Sequence, residues 1–439
     1  MTVLHLGIDF GTSASKVVAR DHDAAGDSKA YALEWELVDG DPYRDPYRLS
    51  SDVAVVRKKR QTQALFGHRR TDTIPGDPRW FTSLKMKVKE EMSRAAREPE
   101  SQAAREPDLP RKWTKKHLLT ASLTWLVRVS MTNARERARV NEATFTGTFG
   151  LPNDFRADPT LKSGFLHIFR AAWSIARNTS VFPHLTERRC ITLDKEAFQR
   201  IERAWQDSID DGDENVDWWH QSEARASALW AWNTPAFAEG AYINVDIGAG
   251  TTNAVAYLVA ASWVRQPNRQ LWVNDRISVF GAASGDIGMD TLGDPVTAEK
   301  LVNHGETILQ PYRQAWGGVR DRAPNGAPAH QWRNAKIVAL GGGSTVEELV
   351  KKYQFHPTMR SELELLSVDT IPEDLDMDLG KSNERARKGA AMLARRTLTV
   401  AYGLSANMGM IREIEPTDIA PIARDAMPTV KTLEGIYAR

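Results

Sequence analysis

The sequence predicts an α/β protein built from two related halves, and three segments predict it. Leu4–Arg20 reads as strand, turn, strand, with Asp9 closing the first strand and Gly11-Thr12-Ser13 making the turn. Ala241–Val259 repeats that grammar with Asp246, a Gly248-Ala249-Gly250 turn and then Thr251-Thr252. Lys336–Phe355 runs a short apolar strand, Ile337–Leu340, into Gly341-Gly342-Gly343 and a helical pattern. Each half of the repeat offers one glycine hairpin and one carboxylate.

The first segment also says which kind of glycine loop this is. The residues before Asp9 alternate and are apolar or β-branched, the mark of a strand, and Ser15–Ala19 reads as a second strand. A dinucleotide fingerprint needs G-x-G-x-x-G opening a helix, and a Walker A loop needs G-x-x-x-x-G-K-[ST] before a helix. Neither spacing occurs in Leu4–Arg20, where a strand follows the turn. What remains is a hairpin whose backbone N–H groups and hydroxyls can hold phosphate oxygens. Asp9 sits where a carboxylate can meet a hydrated cation.

Further along, Glu90–Lys116 is polar, repeats Ala-Ala-Arg-Glu-Pro at Ala95–Pro99 and Ala103–Pro107, and reads as a surface loop or frayed helices. Leu118–Val127 is apolar but too short to cross a bilayer, and with the Arg-rich residues after it reads as a helix. Asp207, Asp210, Asp211, Asp213, Glu214 and Asp217, flanked by Trp205 and Trp218-Trp219, read as an acidic loop. They lack the alternating ligands, sixth-position Gly and twelfth-position Glu of a calcium loop. Two hairpins facing each other would cradle a polyphosphate between lobes, and Mg²⁺ suits that arrangement because it binds few carboxylates, keeps waters and bridges to phosphates. In the third segment Ser344 or Thr345 can cap the following helix, with Glu347 or Glu348 completing a capping box. Its glycines let backbone approach a flat ligand closely.

Composition narrows the partners. Lys and Arg number 58 against 57 Asp and Glu, so no charge excess selects the chain for nucleic acid or an acidic membrane surface. The single cysteine, Cys190, excludes an intrachain disulfide and a cysteine metal cluster. The longest stretch nearly free of charge, Gly240–Val264, has Asp246 at its centre, which argues against a membrane span. The first residues show no basic region followed by a cleavage pattern, so the expected location is cytoplasmic. Trp is in surplus at 14 residues, and Trp205, Trp218, Trp219, Trp230 and Trp232 crowd around the acidic run and Glu223. Core packing is the expected account of them, with an aromatic docking surface for a protein partner as the other.

Taken in order, GIDFGTSASKVV, VDIGAGTTNAVAY and VALGGGST resemble the first phosphate loop, second phosphate loop and adenosine loop of the actin, hexokinase and Hsp70 ATPase superfamily. Within it the chain is most similar to the Hsp70 nucleotide-binding part. Phe81-Thr82-Ser83-Leu84-Lys85 resembles the segment carrying the catalytic lysine, and Leu151-Pro152-Asn153-Asp154-Phe155 resembles Val-Pro-Ala-Tyr-Phe. Ser222–Leu229 and Lys388-Gly389-Ala390-Ala391 resemble the two small-residue segments that join the lobes, and Gly288 and Asp290 fall where the family has Gly-Gly-x-Asp. The resemblance covers about residues 3–396.

The resemblance implies a two-lobed actin-like (ribonuclease H-like) fold with nucleotide in the interlobe cleft. It implies lobe I at 1–235, lobe II at 236–400 and a C-terminal extension at 401–439. It implies ATP or ADP with Mg²⁺ as ligands, Asp9 and Asp246 holding the hydrated ion. Gly11, Thr12, Ser13, Gly248, Ala249, Gly250 and Thr251 would contact phosphates, with Thr251 also in the catalytic set. Lys85 would neutralise the γ-phosphate or position the attacking water, Glu223 would orient or deprotonate that water, and Gly342, Gly343 and Ser344 would line the adenosine pocket. Departures from the pattern are Ala249 in a Gly-Gly-Gly turn, Ala224 in place of Pro, and Asn253 where the family has an ion-binding Asp. The 43 residues after Arg396 are too few for a chaperone substrate domain, although they can add a strand to the second lobe. The expectation is a slow Mg-dependent ATPase working as a chaperone-like switch for a protein partner. The alternatives are a self-associating, filament-forming ATPase and a small-molecule kinase with Asp154 or Asp158 as base.

Overall fold

The computed structural model describes residues 2–22, 29–35, 46–58, 61–70, 72–97, 106–210, 218–231, 234, 237, 240–266, 269–292, 299–300, 302–307, 310, 335–345, 364–367, 372, 374–377, 396–406 and 411–413. The acidic residues 211–217, the helix expected over 346–355, the segment Lys388–Ala391 and residues 414–439 lie outside them. The chain divides into two compact units. Unit 1 takes Met1–Ser222, Asp374–Ala394 and Leu404–Ala406; unit 2 takes Glu223–Glu373, Arg395–Gly403 and Asn407–Arg439.

Unit 1 begins with β1 (Thr2–Phe10), β2 (Ala14–Asp21) and β3 (Lys29–Ala32), an antiparallel meander. β4 (Leu49–Ser50) edges β2. A separate sheet holds β5 (Val53–Lys58), β6 (Gln61–Phe66) and β7 (Arg79–Phe81). Then come α1 (Leu84–Arg97), α2 (Lys115–Ala138) and β8 (Ala143–Leu151). α3 (Asn153–Ala157), α4 (Pro159–Arg177), α5 (Leu185–Arg188), β9 (Cys190–Thr192), α6 (Lys195–Asp210) and β10 (Trp218–Ser222) complete the run. β9 extends the smaller sheet, whereas β8 and β10 join the main one in parallel, giving the order β10-β8-β1-β2-β3. β1 lies in the middle and is buried continuously from Leu4 to Phe10, as a strand covered on both faces must be.

Helices cover that sheet. α2 is buried on every side over His117–Arg128, which explains its unbroken apolar reading; no described helix is long and apolar enough to cross a membrane. Buried Arg128 donates to the carbonyls of Ile175, Ala176, Asn178, Val181 and Phe182 at 2.6–3.3 Å, closing the C-terminal end of α4 and the turn beyond it. The polar stretch from Glu90, expected as loop or frayed helix, is ordered helix as far as Arg97, and Asp207 and Asp210 belong to α6 rather than to an acidic loop. In α1 the buried Leu84, Lys85 and Val88 share the inner face, and the charges occupy the outer one.

Unit 2 repeats the plan. α7 (Glu223–Ala228) leads to β11 (Gly240–Ile247), β12 (Thr252–Gln266) and β13 (Arg269–Gly285), again an antiparallel meander. α8 (Met289–Leu292) follows. β14 (Lys336–Leu340) and β15 (Glu364–Ser367) add in parallel, so the order is β15-β14-β11-β12-β13. The duplication reaches the sixth strand. β16 (Leu375–Asp376) lies parallel to β3 in unit 1, and β17 (Ile411–Glu413) lies parallel to β13 in unit 2. β17 is the strand the tail was expected to add. Each unit by itself has the strand order and directions of a ribonuclease H-like fold, the fold the resemblance implied for each lobe.

α9 (Thr399–Ser405) packs on α7, and the contact explains the small residues of Glu-Ala-Arg-Ala-Ser-Ala. A Cβ on Gly403 would fall inside the backbone carbonyl of Ala226, so only glycine allows this approach. Next to it Trp230 meets Tyr402 edge to face at 5.3 Å. Trp230 is core, as is Trp205, whose Nε1 donates to Thr120 Oγ1 at 3.1 Å.

Candidate functional site

The first hairpin places its residues by register. Asp9 faces Lys16 and Phe10 faces Ser15 across β1 and β2, leaving Gly11-Thr12-Ser13 in the turn. A Cβ on Gly11 would collide with the carbonyl oxygen of Ala14, so the turn closes only around glycine. Ser51 braces it from outside, its N–H donating to the Ser13 carbonyl at 3.1 Å and its Oγ lying 2.9 Å from Ser15 Oγ. Thr12 is buried, whereas Ser13 is exposed at the tip.

The carboxylate of Asp9 is buried and holds Lys16 Nζ at 2.7 Å. Sequence reading missed this lysine, although the hairpin register alone sets it opposite Asp9. Lys85 is 3% exposed, far from a solvated lysine. It sits in the first turn of α1, after Ser83 held in the left-handed region at φ 51, and donates Nζ to the Phe10 carbonyl at 3.0 Å. Its ammonium is 6.0 Å from the Phe155 ring centre, and Lys89 stands 4.6 Å above the same ring while pairing with Asp154 at 2.7 Å. Lys85, the Leu151–Phe155 segment and the first hairpin thus converge within unit 1. Asp154 is committed to Lys89, and Asp158 caps α4 by accepting from the N–H groups of Thr160 and Leu161.

Unit 2 builds a matching half. The Gly248 N–H donates to the Thr251 carbonyl at 2.9 Å, and a Cβ on Gly248 would press on that oxygen at 3.0 Å, as one on Gly11 would on Ala14. The carbonyls of Gly248 and Ala249 accept from the N–H groups of Met289 and Asp290 at 3.0 and 2.8 Å, so the turn is docked on α8. Gly288 lies too close to Ala249 and Gly250 to carry a side chain. Thr252 Oγ1 donates to the Ile287 carbonyl at 2.6 Å and meets buried His304 Nε2 at 2.8 Å. Burial pushes the His304 imidazole down to about 4.

The third glycine cluster folds onto this hairpin. Gly341 has φ +74, its N–H donates to the Arg396 carbonyl at 2.7 Å, and a Cβ there would run into the Asp246 carboxylate and the Ile247 carbonyl. A Cβ on Gly343 would strike Ile247. Gly342, Gly343 and Ser344 form a single tight turn of 3₁₀ type, Gly342–Thr345. Of the three glycines, Gly341 is the one whose backbone demands glycine, and the sequence alone did not single it out.

Asp246, Asn253 and Ser284 are lateral neighbours across β11, β12 and β13, and directly opposed residues of antiparallel strands share a face. Glu223, 5% exposed at the start of α7, reaches that row: Asn253 Nδ2 donates to its Oε2 at 2.9 Å. Ser284 Oγ donates to Asn253 Oδ1 at 2.5 Å. The expected residues are therefore gathered in two sets, Asp9, Gly11, Thr12, Ser13 and Lys85 in unit 1, and Glu223, Asp246, Gly248, Ala249, Gly250, Thr251, Gly342, Gly343 and Ser344 in unit 2. Lys16, Asn253, Ser284 and Gly341 join them.

No protein-family model and no curated protein sequence matches the chain. Among solved structures, MreB 5 of Spiroplasma citri bound to AMPPNP is similar at a TM-score of 0.35 and 10% identity, covering 83% of this chain and 91% of that one. A likeness that weak carries no weight for the site, whose reading rests on the chain's own geometry.

Proposed function

We propose that the chain binds ATP with Mg²⁺ and hydrolyses it, as a nucleotide-dependent switch of the actin, hexokinase and Hsp70 superfamily. The observation that carries this reading is the duplicated hairpin. Twice, a central strand ends in Asp-x-Gly and turns at a glycine whose Cβ would lie 2.4 Å (Gly11) or 3.0 Å (Gly248) from a carbonyl oxygen of the same turn. That is a cradle for an anionic chain of oxygens.

The donor set fits a magnesium nucleotide. Asp9 and Asp246 are hard oxygen ligands suited to a hydrated divalent ion. Bound there, Mg²⁺ would neutralise charge on the phosphates. This chain's own groups do the rest. Thr12, Ser13, Gly248, Ala249, Gly250 and Thr251 hold phosphate oxygens. Lys85 brings a fixed positive charge, held on the Phe10 carbonyl, to the first hairpin. Glu223 accepts a proton from, or orients, the attacking water; phosphoryl transfer asks for such positioning and electrostatics rather than covalent chemistry.

The test is purified protein with Mg-ATP, following nucleotide binding, phosphate release and sedimentation together. Binding with slow phosphate release that disappears in Lys85→Ala and Glu223→Ala supports the reading. Undiminished release in both variants overturns it. Pelleting that depends on ATP would make the switch a self-associating one.

A further inference from the structure

We propose that Asn253, oriented by Ser284, is the positioning residue that holds the Glu223 carboxylate in its working orientation; this rests on the reading of Glu223 as the water-directing group.

The network fixes its own polarity. Ser284 Oγ points its proton at Asn253 Oδ1 across 2.5 Å, which leaves the Nδ2 end of the amide for Glu223 Oε2 at 2.9 Å. An ionised carboxylate only accepts, so Glu223 takes the Nδ2 end, and the Ser284 hydroxyl, which can donate, holds the Oδ1 end in place. Asn253 and Glu223 are 3% and 5% exposed, so water does not compete for these bonds as it would at the surface. Cross-strand register puts Asn253 and Ser284 side by side on two paired strands, so the amide is held by the sheet and not by a loop. A rigid donor on one carboxylate oxygen leaves the other oxygen's direction determined.

The residue type matters. An aspartate at this position would face Glu223 with a second carboxylate, lose the donor and turn the serine's proton into its main partner. Asn253 therefore marks a site built around a held carboxylate, with Asp246 next to it in the row.

The experiment separates this proposal from its parent. In the full chain, Asn253→Ala is expected to lower kcat for phosphate release by about tenfold or more with nucleotide affinity unchanged, the split that loss of positioning produces. Ser284→Ala is expected to do the same more weakly, and Ser284→Thr, which keeps the hydroxyl, to restore the rate. A second readout needs no turnover: thermal midpoints of Asn253→Asp, Glu223→Gln and the double variant. Asn253→Asp should lower the midpoint, and adding Glu223→Gln, which supplies an amide donor from the other side, should recover it. Additive midpoints, or an unchanged kcat in Asn253→Ala while Glu223→Gln is inactive, would overturn the proposal. Full activity in Glu223→Gln would instead overturn the parent reading, whatever the midpoints show.

Discussion

Gly341 lies against the carboxylate of Asp246 so closely that a methyl group would overlap it. The third glycine cluster and the second hairpin are thus a single piece of structure, joined where the sequence shows only two separate glycine runs. Gly341→Ala would have to bear both a left-handed φ of +74 and that collision, with an expected cost of about 2 kcal/mol or more. Gly76→Ala is the control, since φ is +104 but nothing lies within 4 Å of the added Cβ; it should cost about 1 kcal/mol. Urea unfolding of the two variants compares them, and equal losses would mean the contact with Asp246 is unimportant.

Arg128 should matter as much as a large core residue. Its guanidinium donates to five carbonyls around the end of α4. Arg128→Met keeps much of the stem and leaves those acceptors unsatisfied, for an expected loss of about 3 kcal/mol. Chemical denaturation measures it, and a loss below about 1 kcal/mol would contradict the capping role.

Acid should destabilise the protein through three buried histidines. Loss of solvation pushes His5 down to about 3 and His117 and His304 down to about 4, from 6.5 in each case. His5 lies between Thr146 and Thr148 with His22 and Arg20 nearby; His117 accepts from the Thr114 N–H, which leaves its Nε2 proton for Glu202. In each case the unfolded chain takes up a proton that the folded one refuses. Stability is therefore fully present above 6.5 and lost as pH falls below it, each histidine adding a slope of about 1.4 kcal/mol per pH unit down to its folded value. Urea midpoints at pH 7.5, 6 and 5 read this directly. His5→Asn should flatten the profile, and a profile as steep as the parent's would sink its share.

Lys85 is expected to be worth much to turnover and little to folding. Its ammonium donates to the Phe10 carbonyl at 3.0 Å and lies over Phe155. Lys85→Met should lower phosphate release by about 100-fold or more while changing unfolding free energy by about 1 kcal/mol. Loss of both together would make it a structural residue.

What the sequence made legible was local. The two hairpins could be read because Asp-x-Gly with strands on both sides is a short-range pattern, and the same short range would have given Lys16 opposite Asp9. Glu223 with Asn253 was out of reach, since only the seating of α7 against β12 brings them together. α1 was misread from Glu90 onward because its outward charges dominate the composition, while the inner face needs only Leu84, Lys85 and Val88, with Met92 lying against Gly164. The three glycines at 341–343 looked alike; a positive φ is a property of the path the backbone takes after β14, and composition carries no trace of it.

Unit 1 is finished by residues that arrive late. β16 pairs with β3, Arg20 pairs with Asp374 and reaches Ser405 Oγ, and all of them belong to the same compact unit. On a ribosome, then, the amino-terminal half has its sheet order set early but its edge strand and the partners of a buried arginine still unsynthesised. Such long-range closure slows folding and keeps an open strand edge exposed in the nascent chain. A chain stalled before residue 374 is expected to hold β3 as an unprotected edge, so completion of the first unit is timed by translation of the second.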